Sequence, residues 1–191
     1  MLTHEEAVKI FTQAGALLNG HFILTSGRHS NQYMQCALVL QYPQYTEKLA
    51  RHLAEKFQGE NVDIVIGPAM GGIIVAYEVG RQFGVPAIFT ERKDGIMQLR
   101  RGFTIKPGQK VLVVEDVVTT GGSVREVIEV VEKSGGIVVG VGVLVDRSGG
   151  SVDFGVRKEA VLTMHIESFE PDNCPLCREG LIPAVKPGSR S

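Results

Sequence analysis

The chain of 191 residues carries a formal net charge of −1 and 43% hydrophobic residues. With a pI near 6.5 it offers no electrostatic basis for binding nucleic acid or an anionic membrane. Its apolar content suits one substantial core, so a single domain over 1–191 is expected.

In chain order, Thr3 and Glu6 form a capping box that opens a helix carrying Val8 and Phe11, ending between Gly15 and Gly20. Residues 22–36 read as a short hairpin around Ser26-Gly27, and residues 1–40 together as a small hood. Pro43 opens a second helix, with Tyr45, Leu49, Leu53 and Phe57 at fourfold spacing. Strand 63–66, helix 72–83, strand 86–90, strand 111–114, helix 123–134 and strand 137–146 follow. Strands alternating with helices of this length imply an α/β fold with a mostly parallel sheet and right-handed crossovers. Residues 152–166 read as a closing hairpin and 171–191 as an irregular tail. No apolar stretch approaches a membrane span, and the capped amphipathic start does not read as a signal peptide. Three cysteines cannot all pair within one chain, so a reducing, cytoplasmic setting is expected.

The chemistry concentrates in 111–123. Val111-Leu112-Val113-Val114 reads as a strand buried on both faces and runs into Glu115 and Asp116. Val117 and Val118 lead to Thr119-Thr120-Gly121-Gly122-Ser123, a small-residue loop that opens the next helix, where Val124, Val127, Ile128 and Val131 share a face. Hydroxyls, unhindered N–H groups and a helix N-terminus suit a phosphate, and acids at the carboxyl end of a strand suit sugar hydroxyls. Together they describe a phosphorylated ribose. An ordinary capped βα turn is the plain alternative; a nucleotide triphosphatase is opposed by the lack of any G-x-x-x-x-G-K-[ST] run.

Two further segments fit the same edge of the sheet. Gly67-Pro68-Ala69-Met70-Gly71-Gly72 joins a strand to a helix and can hold an anion on its N–H groups. The long connection 91–105 carries Arg92, Lys93, Arg100 and Arg101, with Gly95 and Gly102 as hinges. It reads as a basic lid or as a solvated hairpin. Cys174 and Cys177 form one C-x-x-C, half of a structural zinc site, with no second Cys or His pair following. A turn with two thiols is the favoured reading, and two such pairs meeting across a dimer axis the alternative.

These motifs carry a resemblance. VVEDVVTTGGS resembles the ribose-phosphate signature of the type I phosphoribosyltransferases. FILTSGRHSNQY (22–33), GPAMGG (67–72), ERKDGIMQLRRGF (91–103) and VDR (145–147) extend the likeness toward the branch that uses orotate. The resemblance implies transfer of phosphoribosyl from phosphoribosyl pyrophosphate (PRPP) to orotate, with magnesium bridging pyrophosphate and ribose oxygens near Glu115 and Asp116. It implies PRPP contacts from Ala69, Met70, Gly71, Arg92, Lys93 and 115–123, and orotate contacts from Thr119, Arg147, Tyr33, Arg28 and the weaker candidate Ser26. It also implies catalytic work by Asp116 and the lid cations Arg92, Lys93, Arg100 and Arg101, and a homodimer in which the lid serves the neighbouring site. For Arg147, a salt bridge to Asp146 is the competing explanation. Thr25 and Gly71 stand where many relatives have lysine, and this lid lacks their histidine. A purine or xanthine phosphoribosyltransferase and a PRPP-sensing regulator of the same fold are the alternative functions.

Overall fold

The computed structural model describes residues 2–24 and 26–187. Thr25, singled out above, lies outside them. Helix α1 spans His4–Gln13 and begins at the expected capping box: Glu6 N–H donates to Thr3 Oγ1, and Thr3 N–H to the Glu6 carboxylate. Strands β1 (Leu17–Ile23) and β2 (His29–Met34) form the hood hairpin, which starts five residues earlier than residue 22. A short helix α2 (Ala37–Leu40), unanticipated, leads into α3 (Pro43–Glu55), which carries Pro at its start.

The main sheet is built from β3 (Ile64–Pro68), β4 (Ala87–Lys93), β5 (Ile96–Leu99), β6 (Lys110–Val118), β7 (Ile137–Asp146) and β8 (Lys158–Thr163). Its order is β5-β4-β3-β6-β7-β8, and every pairing except β4 with β5 is parallel. Helices α4 (Gly71–Phe83) and α5 (Gly122–Lys133) complete the crossovers. Period-2 alternation divides the core between the two faces of the sheet. Val65, Leu112 and Val114 pack with Leu49 and Leu53 of α3 and Val75 and Val79 of α4. Ile64, Ile66, Val111 and Val113 pack with Val124, Val127 and Val131 of α5. Burial on both faces is why these strands are continuous apolar runs.

Four sequence expectations are corrected. The strand expected at 111–114 runs on to Val118, so Glu115 and Asp116 lie within β6 and not in the loop after it. Residues 152–166 are no hairpin: β8 lies parallel to β7 and extends the sheet, reached through an irregular stretch. Its moderate apolar content suits an edge strand, and alternation alone does not tell an edge strand from a hairpin arm. The tail holds a 3₁₀ turn at Pro171–Asn173 and a short helix α6 at Pro175–Glu179. The connection 91–105, read as a basic lid or a solvated hairpin, is largely the β4–β5 hairpin, turned by Asp94 (φ 53°) and Gly95 (φ 80°). Two positive φ angles in an Asp-Gly pair match a type I′ hairpin turn, a signal legible in the sequence but read there as a hinge.

Candidate active site

Parallel pairing of β3 with β6 and of β6 with β7 carries three chain segments to one edge of the sheet. From β6, the 119–123 loop enters α5, whose N-terminus has no side-chain cap and no acid in its first turn. Its N–H groups are therefore left for a ligand. Gly121 holds φ 79°, and a Cβ there would sit 2.7 Å from the Phe154 ring. Backbone conformation and space both demand glycine at that position. This loop lines a cavity of about 460 Å³ together with Glu115, Val117, Val118 and Arg92.

Arg92 closes the side of that cavity. Its guanidinium donates to Ser123 Oγ at 3.3 Å and pairs with Glu126 at 2.8 Å. Arg101 and Arg100 turn instead to Glu91, at 2.8 Å and 4.0 Å. Lys93, exposed beside the hairpin turn, makes no ion pair among the described residues. The four basic residues thus divide: one at the loop of its own chain, two held at the hairpin base, one free.

The acids sit between the β3 and β6 loops. Glu115 is 8% exposed, and its Oε1 accepts from the Asp116 N–H at 3.0 Å. Asp116 Oδ1 accepts from the Val117 N–H at 2.8 Å. Burial, then the neighbouring Asp116 charge, pushes the Glu115 carboxyl well above its usual range, and burial raises Asp116 as well. The Gly71 corner packs directly against them: a Cβ on Gly71 would lie 2.2 Å from Asp116 Oδ2. Any side chain at position 71 therefore requires Asp116 to move. Ala69 and Met70 complete this turn, with Met70 80% exposed and the Ala69 N–H donating to Thr90 O at 2.8 Å.

A second cavity of about 650 Å³ adjoins the first and shares Thr119 and Thr120 with it. Leu24, Ser26, Tyr33, Arg147 and Ile166 form its other walls. Arg147 follows β7, and its N–H donates to Val118 O at 2.8 Å, fixing it beside the 119–123 loop. Its guanidinium carbon lies 5.7 Å from the centroid of the Tyr33 ring, which leans on Phe22 at 5.8 Å. Arg147 Nε is buried and has no hydrogen-bond partner. Burial also pulls the guanidinium below its ordinary pKa. The competing salt bridge to Asp146 does not form. That carboxylate, 1% exposed, takes Lys158 Nζ at 2.7 Å and Ser148 N–H at 2.8 Å. Against burial, these bonds hold Asp146 below its usual range.

Arg28 departs from expectation. Its guanidinium donates to Ser168 Oγ at 2.8 Å and Ser168 O at 2.6 Å and pairs with Glu170, so it points at the tail and not into the cavity. Ile166 is a wall that sequence reading missed. An isolated isoleucine between polar residues carries no local signal.

The strand order, the uncapped βα loop and the adjoining acids are the features expected of the phosphoribosyltransferase class. Residues 39–154 match the family model described as "Phosphoribosyl transferase domain". The chain is 65% identical over 189 residues to the orotate phosphoribosyltransferase of Pelotomaculum thermopropionicum, covering 99% of each chain. It is 65% identical over 189 residues to that of Desulforamulus reducens, covering 99% of this chain and 98% of the relative. The crystal structure of orotate phosphoribosyltransferase from Aeropyrum pernix superposes with a TM-score of 0.69 at 30% identity, covering 82% of this chain and 92% of the other. The chain therefore belongs to the phosphoribosyltransferase family and, within it, to the orotate phosphoribosyltransferases.

Proposed function

We propose that the protein transfers phosphoribosyl from PRPP to N1 of orotate, giving orotidine 5′-monophosphate and pyrophosphate. The observation that carries the choice of base is Arg147: a half-buried cation whose buried Nε has no partner among the described residues, on the wall of a cavity that shares Thr119 and Thr120 with the 119–123 loop. A half-buried guanidinium with an unpartnered Nε favours a carboxylate, which it can engage in two parallel hydrogen bonds. Orotate brings one, and the Tyr33 ring offers its pyrimidine a flat surface.

In this reading Thr119–Ser123 and the α5 N-terminus hold the 5′-phosphate, with Arg92 at their side. Glu115 and Asp116 accept from the ribose hydroxyls, and the Ala69-Met70-Gly71 turn receives the pyrophosphate. As the C1′–O bond breaks, positive charge grows on the ribose and negative charge on the leaving group, so positioning and electrostatics carry the catalysis. Two carboxylates raised by burial and free of ion pairs fit a magnesium ion held through the substrate, because hard oxygen ligands suit it. Bound there, magnesium would neutralise charge on pyrophosphate and ribose oxygens. Lys93, exposed and without an ion pair among the described residues, is the lid cation left to act at a second subunit.

The homodimer belongs to this proposal. Met70, Ile74 and Tyr77 are 80%, 44% and 68% exposed and follow one face of α4 from the pyrophosphate turn, an apolar stripe suited to a second copy. A cytoplasmic setting is supported by Cys36, Cys174 and Cys177, none of which is in a disulfide.

The test is to mix protein, orotate, PRPP and magnesium and follow the loss of orotate absorbance. A decay that needs all four components is expected, as is its loss on adding EDTA. PRPP binding with no consumption of orotate would reject the reading.

A further inference from the structure

Away from the substrate cavities, the hood hairpin and the tail bring together His21, His29, Cys174 and Cys177, whose ligand atoms all lie within 4.8 Å of one another. His21 Nε2 is 2.9 Å from His29 Nδ1, 3.6 Å from Cys174 Sγ and 3.7 Å from Cys177 Sγ. His29 Nδ1 is 3.2 Å from Cys177 Sγ. Around zinc, bonds of about 2.0–2.1 Å to nitrogen and 2.3 Å to sulfur give tetrahedral edges of roughly 3.3 Å (N–N) and 3.6 Å (N–S). The four distances above match those edges to within about 0.4 Å, and the other two ligand pairs lie within 4.8 Å.

Direct hydrogen bonding explains it less well. An imidazole nitrogen offers one lone pair or one proton. His21 Nε2 faces three partners, which a single central ion would satisfy together. The other ring nitrogen, Nδ1, lies 3.0 Å from Ile182 O. Donation of its proton there leaves Nε2 bare and aimed at the cluster, the outer hydrogen bond typical of metal-binding histidines. His21, His29 and Cys174 are 3%, 9% and 0% exposed, so three of the four ligands are buried, while Cys177 lies at the surface.

We propose that this cluster is a structural zinc site of two imidazoles and two thiolates. Four protein ligands leave no open position, which separates it from a catalytic zinc. The second ligand pair that the C-x-x-C lacked downstream is supplied by residues far upstream, within one chain, and no dimer axis is needed. The ion ties the tail to the hairpin where they already share backbone bonds: Ile23 N–H to Val185 O at 2.8 Å, Val185 N–H to His21 O at 2.9 Å, and reciprocal 2.8 Å bonds between His29 and Phe169. Helix α6, with five residues, could not hold its place by itself.

Protein purified under reducing conditions without chelator or affinity tag should contain about one equivalent of zinc per chain by elemental analysis. The Cys174→Ser/Cys177→Ser variant should lose it. Apo wild type given Co²⁺ should show the visible ligand-field bands of a tetrahedral site and a thiolate-to-cobalt charge-transfer band. Removing the metal should expose the tail to limited proteolysis. The cobalt spectrum decides the matter should the variant fail to fold. Metal-free protein without a cobalt–thiolate spectrum would overturn the proposal. Iron in place of zinc would overturn the assignment of the metal.

Discussion

Arg147 and Glu115 are the residues whose surroundings make the sharpest demands. Arg147→Ala should leave PRPP affinity unchanged and cost about 3 kcal/mol of transition-state binding for orotate, roughly 100-fold in kcat/KM. Steady-state kinetics with each substrate varied in turn checks this, and an equal loss for both substrates would remove Arg147 from the base pocket. Arg147→Lys should recover little, because an ammonium lacks the planar fork. For Glu115 the sign follows from its raised folded-state pKa. The unfolded chain ionises near the ordinary carboxylate value of about 4.3, while the folded chain resists. The contribution to stability is therefore full below that value and is lost as pH rises through the elevated folded-state pKa. Glu115→Gln should flatten this dependence and raise stability at neutral pH; urea melts of both proteins across pH test it. Binding of PRPP with magnesium should release protons, seen in calorimetry as a heat that varies with buffer ionisation enthalpy.

Among the elements, β7 and β8 carry a consequence for Arg147. Lys158 of β8 neutralises Asp146 at the end of β7, where the carboxylate is 1% exposed. Lys158→Met would strand a buried charge and should cost about 3 kcal/mol of stability. Replacing Asp146 by Asn in the same background should restore part of the loss; chemical denaturation of the single and double variants measures it. The β4–β5 hairpin was half legible. Its Asp94-Gly95 turn is a hairpin signal, but the charged run Glu91-Arg92-Lys93 on the first arm and the shortness of the second masked the alternation that marks strands. The acids of β6 were legible as a pair and misplaced by a few residues. A strand's apolar run ends where its burial ends, whereas its hydrogen-bond ladder with β7 continues to Val118.

For the whole molecule, the α4 stripe and the free Lys93 set the predictions. Tyr77→Asp combined with Ile74→Asp should shift the protein to monomer in analytical ultracentrifugation, and an unchanged dimer would exclude that face. If the lid serves the neighbouring site, mixing inactive Lys93→Ala and Arg147→Ala subunits should restore about a quarter of wild-type activity, since a heterodimer regains one intact site of two. No recovery after subunit exchange would place the lid at its own site.

The sequence by itself determined the α/β class, the capped first helix, the buried strands and the small-residue loop at 119–123. Each of these is local: apolar period, capping chemistry and glycine placement act over a few neighbouring residues. Tertiary structure alone decided that Arg147 Nε has no partner among the described residues, that Arg28 is spent on the tail, that Ile166 walls the cavity beside Arg147 and Tyr33, and that two histidines meet two cysteines some 150 residues away. Those facts depend on which side chains share a partner. Competition among distant groups for one carboxylate or one lone pair is settled by packing and leaves no periodic trace in the chain.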